Sequence, residues 1–84
     1  MTLRSVKDYK TNRSNEEIEE IKAAVEDNLA EMLGSGEEWP EAFIEEIAVR
    51  IMEDVDTDAP DVVWHNGTVR RNILWFINEL AWSL

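Results

Sequence analysis

Residues 14–36 read SNEEIEEIKAAVEDNLAEMLGSG, and this stretch decides the fold. Ser14 is suited to cap a helix, and Glu17 stands three positions on, as a capping box requires. Acids crowd the end where the helix dipole is positive. Ile18, Ile21, Val25, Leu29, Met32 and Leu33 recur at intervals of three and four, the helical period, so apolar residues form one narrow stripe. Gly34 follows as a left-handed C-cap. The spacing predicts a helix over 15–33 that buries only one side and therefore needs neighbours.

Working outward, GSGEEWPEAFIEEIAVRIMEDVD carries a second helix, with Pro40 acceptable in its first turn and Phe43, Ile44, Ile47, Ala48, Ile51, Met52 and Val55 as its buried face. Its predicted span is about 40–55. The connector DTDAPD is dense in turn formers, and Pro60 disfavours helix just before itself. VVWH reads as a helical turn or an extended bridge. Thr68 is placed to cap a third helix over about 68–83. No alternating stretch is long enough for a sheet. The expected fold is therefore all-α: a small antiparallel bundle of three principal helices, forming one domain over 14–84. Residues 1–13 show no sustained period and read as a loose basic arm, with Leu3, Val6 and Tyr9 docking as a short turn.

The third segment, NILWFINELAWSL at 72–84, is apolar on nearly every side. Val69, Ile73, Phe76, Ile77, Leu80 and Leu84 cover one side of it; Trp75 and Trp82 fall almost opposite, with Arg71 and Asn78, and Leu74 and Ala81 fill the flank. Asn72, Glu79 and Ser83 make the polar strip. Two one-sided helices cover only one broad face of such a helix, so the tryptophans need another cover. The alternatives are the arm and VVWH folding across them with Arg71 stacked on a ring, a homodimer through the same patch, or a foreign protein. Arg71, Trp75 and Trp82 are the residues expected at this apolar interface.

Charge is segregated along the chain. Of 84 residues with net charge −11, residues 1–13 carry net +3, residues 14–61 carry net −15, and residues 62–84 carry net +1. Such a body repels nucleic acid and attracts basic partners, so direct nucleic-acid binding is not expected. A helix-turn-helix reader would need cationic side chains where the second helix has glutamates. With no cysteine, disulfides, zinc–thiolate sites and cysteine nucleophiles are excluded, which favours a cytoplasmic setting. The longest uninterrupted apolar run, Ile73 to Ile77, is too short to cross a bilayer, and no membrane association is expected.

Glu16, Glu20, Asp27 and Glu31 line the side of the first helix away from its apolar stripe, and Glu38, Glu41 and Glu45 extend the row onto the outer side of the second, where Asp56 also lies, with Glu46 and Glu53 beside them. Acids four apart on a helix stand about 6 Å apart along the axis, comparable to successive phosphates on a strand. Only Lys22 and Arg50 compensate them within 14–61. The expected function is a small acidic, non-catalytic binding protein: an inhibitor, mimicking nucleic acid, that occupies the basic nucleic-acid-binding surface of another protein. Small phage and mobile-element proteins of the anti-CRISPR kind work in this way. The alternatives are a structural or assembly subunit acting through the tryptophan-rich helix, and an immunity or antitoxin-like protein that neutralises a basic enzyme. An acid-rich outer face also serves solubility alone.

Catalysis is not expected. His65 is the only histidine, and neither a nucleophile elbow nor a glycine-rich phosphate loop is present. Asp54, Asp56, Asp58 and Asp61 alternate like the start of a calcium loop, but Ala59 stands where the sharp turn wants glycine and His65 where a bidentate glutamate should close the shell. No cofactor or metal is implied.

Overall fold

The computed structural model describes residues 2–34, 38–58 and 64–83. Among them, a single 3-10 turn at Val6–Asp8 precedes three helices, α1 (Asn15–Leu33), α2 (Glu41–Asp58) and α3 (Asn66–Ser83), with no strand. Each helix packs on the other two, giving the small all-α bundle that the periodicities imply.

α1 begins as its sequence dictates. The Ser14 hydroxyl accepts from the Glu17 backbone N–H at 3.2 Å, satisfying a donor that the helix itself cannot. Gly34 ends the helix at φ +98° and ψ 148°. That conformation has the positive φ expected of a glycine cap but extended ψ, outside the left-handed helical region. α2 runs beyond its predicted end, so Asp54 and Asp56 lie on a helix and not in a calcium-type loop. The Pro40 carbonyl accepts from Phe43 and Ile44 at its start. Ala59, Asp61 and the first two residues of VVWH fall outside the described residues.

The core is the meeting of the three stripes: Ile21, Val25 and Leu29 from α1; Ile47, Ala48, Ile51 and Met52 from α2; Val69, Ile73 and Phe76 from α3, all buried. Phe43 sets its ring edge-on to Phe76 at 5.4 Å between centroids. The Arg50 guanidinium stands 5.2 Å over that same Phe76 ring.

Four expectations need correction. First, the arm is not loose throughout: Leu3, Val6 and Tyr9 dock against the core at a short turn, as expected, and polar ties to α2 hold the arm beyond that expectation. The Ser5 hydroxyl and the Val6 N–H both donate to Glu45, at 2.8 and 3.1 Å. Val49, outside the predicted stripe, is fully buried; in sequence it stands on α2 between the arm's partners Glu45 and Glu46 and its partners Glu53 and Asp56. Second, Glu46 is not a surface acid but is 1% exposed between Arg4 and Arg50. Third, Asn72 leaves the polar strip and is buried, donating to Asp54 at 3.1 Å and to the Thr68 carbonyl at 2.9 Å. Fourth, the cap of α3 is His65, whose Nδ1 accepts from the N–H groups of Gly67 and Thr68 at 3.0 and 3.4 Å; Thr68 is itself buried in the first turn.

Candidate functional site

Among the described residues, four arginines are matched at α2. Arg4 reaches Glu46 and Glu53, Arg13 reaches Glu17 and Asp56, Arg50 reaches Glu46 and Glu79, and Arg71 reaches Asp54 at 2.5 Å. These bases come from the arm and α3 as well as from α2, so the acids of α2 are neutralised from outside their own segment. Burial on its own would raise the Glu46 carboxyl; bonds from the Arg4 side chain and backbone N–H and from Arg50 override it and hold the group below its ordinary range. The Ser5 hydroxyl does the same to Glu45, and Arg71 to Asp54.

The seven acids expected to form one partner-binding face therefore divide. Glu16, Glu20 and Asp27 are exposed on the outer side of α1 and have no ion pair among the described residues. Glu38, just ahead of α2, is in the same condition. Glu31 is bridged to Arg70 of α3 at 2.7 Å, and Glu41 to Lys22 at 2.5 Å. Glu45 is half-buried beneath the arm. Glu26, which the sequence reading passed over, joins the unpaired set.

Three of these unpaired acids, Glu26, Asp27 and Glu38, line a groove. Between α1 and the start of α2 lies an open cavity of about 470 Å³ lined by Glu26, Asp27, Ala30, Glu38, Trp39, Glu41 and Ile44. Trp39 is held there by its tilted contact with Phe43, 6.3 Å between centroids, and is partly buried against the core. An aromatic wall beside several carboxylates suits a lysine or arginine side chain, whose stem packs on the ring while its charge meets the acids. The signal in sequence is EEWPE at 37–41, an indole set among acids at a helix entry.

On the far side, α3 presents its apolar residues to solvent. Leu74 is 52% exposed, Trp75 50% and Trp82 89%, so no described part of the chain covers Trp82. Arg71 stacks over the Trp75 ring at 5.4 Å while bonding Asp54, which fixes both side chains. No helix among the described residues is long and apolar enough to cross a membrane. No protein-family model, no curated protein and no solved structure matches the chain.

Proposed function

We propose that the protein is a small acidic inhibitor that works by binding, not by catalysis, and that the outer face of α1 with its adjoining groove occupies the basic, nucleic-acid-binding surface of another protein. The observation that supports this reading most is the segregation of compensated from uncompensated charge. Arginines from the arm and α3 pair with Glu46, Glu53, Asp54 and Asp56 of α2, and cations reach Glu17, Glu19 and Glu31 on α1, while Glu16, Glu20, Glu26, Asp27 and Glu38 lack a counterion among the described residues. Like charges one turn apart on a helix repel by about 0.2–0.5 kcal/mol per pair, and a surface rich in lysine and arginine relieves that repulsion on contact. Glu16, Glu20 and Asp27 stand in a row whose axial steps are about 6 and 10 Å, which lets a groove built for phosphates accept it. Trp39 gives the contact an apolar anchor of the type that concentrates binding energy. A cytoplasmic setting suits a chain without cysteine.

The test is paired capture from the native cells with wild type and Glu20→Lys/Asp27→Lys as baits. The reading expects a nucleic-acid-binding protein retained by the wild type, displaced by duplex DNA or by raised salt, and lost from the variant. Equal retention on both baits, indifferent to DNA, contradicts it.

A further inference from the structure

We infer that two copies of this chain pair through α3 in an antiparallel, two-fold arrangement centred on Asn78. The exposed residues Arg71, Leu74, Trp75, Asn78, Ala81 and Trp82 recur at intervals of three and four, which is a second complete helix-packing stripe, opposite the one that fills the core. A two-fold axis at Asn78 sets Leu74 of each copy against Trp82 of the other, and Trp75 against Ala81. Each large ring thus meets a smaller side chain, the alternation that lets helix surfaces interdigitate, and Asn78 meets its own amide, which both donates and accepts.

Charge selects this face for self-pairing. Two molecules of net charge −11 repel, yet the only formal charge on the α3 stripe is Arg71, already paired with Asp54; the flanking Arg70 and Glu79 are paired with Glu31 and Arg50. In the antiparallel register Arg71 also approaches the negative end of the partner helix, whose last turn has no base of its own. The unpaired acids of α1 stay on a different face.

Area agrees. From the exposures of Leu74, Trp75 and Trp82, these side chains offer about 400 Å² of apolar surface per copy, about 800 Å² per pair. With a polar rim in ordinary proportion the interface reaches roughly 1,300 Å², above the roughly 1,000 Å² that a specific association requires. The pairing is independent of the α1 reading and leaves two acidic faces free on one particle.

Sedimentation equilibrium of the full chain across low-micromolar to near-millimolar concentration tests it. The mass rises from the 9.8 kDa monomer to about twice that value. Trp82→Ser and Ala81→Arg each hold the chain at monomer mass with an unchanged helical circular-dichroism spectrum, since both sites are exposed in the monomer. Asn78→Cys closes to a disulfide-linked dimer under mild oxidation, whereas Ala23→Cys on the outer side of α1 forms no disulfide cross-link. A wild type that remains at monomer mass at the highest concentration overturns the proposal. So does a dimer that survives both surface substitutions, or one that Ala23→Cys traps and Asn78→Cys does not.

Discussion

Arg4 grips Glu46 with its main chain and its side chain together: the backbone N–H and Nε both donate to Oε1, at 2.9 and 3.2 Å, while a terminal guanidinium nitrogen meets Oε2 at 2.8 Å. A residue four places into the chain thereby satisfies a carboxylate sealed within α2. Arg4→Ala removes two of these three bonds and should destabilise by about 2 kcal/mol, since hydrogen bonds to a charged group are worth about 1.5–3. Glu46→Gln should lose about 3 kcal/mol, as when one partner of a buried pair is removed. The double variant should lose less than the sum, and strict additivity in urea unfolding would show that the pair is not coupled.

Acid should unfold the protein through the same carboxylates. Glu45, Glu46 and Asp54 lie below their ordinary values in the folded chain. The unfolded chain therefore binds more protons in that range, and stability increases with pH. The contribution is full above the unfolded values of about 4.3 for Glu and 3.9 for Asp and is lost as pH falls through the lowered folded ones. Melting temperature should drop steeply below about pH 4, with a shallower slope for Glu46→Gln. Parallel acid limbs would contradict the assignment.

His65 and Gly67 make a prediction with a change of sign. A Cβ on Gly67 would stand 2.8 Å from the His65 ring, the ring that caps α3. In the wild type, Gly67→Ala should therefore destabilise by about 1 kcal/mol, the usual worth of a cap. Once His65→Ala has removed the ring, the same substitution should stabilise by up to about 1 kcal/mol, because alanine is the better helix former. Thermal melts of the four chains decide it.

The repulsion along α1 is measurable without any partner. Glu20→Lys/Asp27→Lys turns like-charge neighbours into opposite ones and should raise stability by a few tenths of a kcal/mol per site. Wild-type stability should climb with added salt as its repulsion is screened, and the variant should respond less. Identical salt responses would mean that the row carries no strain.

What the sequence discloses follows the range of each interaction. The bounds of α1 were legible because Ser14, its periodic stripe and Gly34 act within a turn or two of one another, although Leu33, counted in that stripe, is exposed. That Trp75 and Trp82 lie opposite the core stripe was legible because they sit seven apart; that the arm leaves them exposed was not, since its partners lie on α2. The short docked turn of Leu3, Val6 and Tyr9 was legible, but the polar anchoring of the arm was not: Arg4 and Glu46 are 42 positions apart, and nothing local to EEIAVR marks its second glutamate as buried. Asn72 misled for the same reason, since its partner Asp54 lies on another helix. The groove at Trp39 was missed because it exists only where α1 passes the entry of α2.

The uncompensated acids Glu16, Glu20, Glu26, Asp27 and Glu38 lie along α1 and its groove, while Glu46, Glu53, Asp54 and Asp56 of α2 are neutralised from within. Titrating the isotopically labelled chain with a short arginine-rich peptide, followed by amide and indole NMR shifts, tests this division most directly. The account expects the largest changes at Glu16, Glu20, Glu26 and Asp27 and at the Trp39 indole, fading as salt is added. Changes centred instead on Glu46, Glu53 and Asp54, or spread evenly over all three helices, would contradict it.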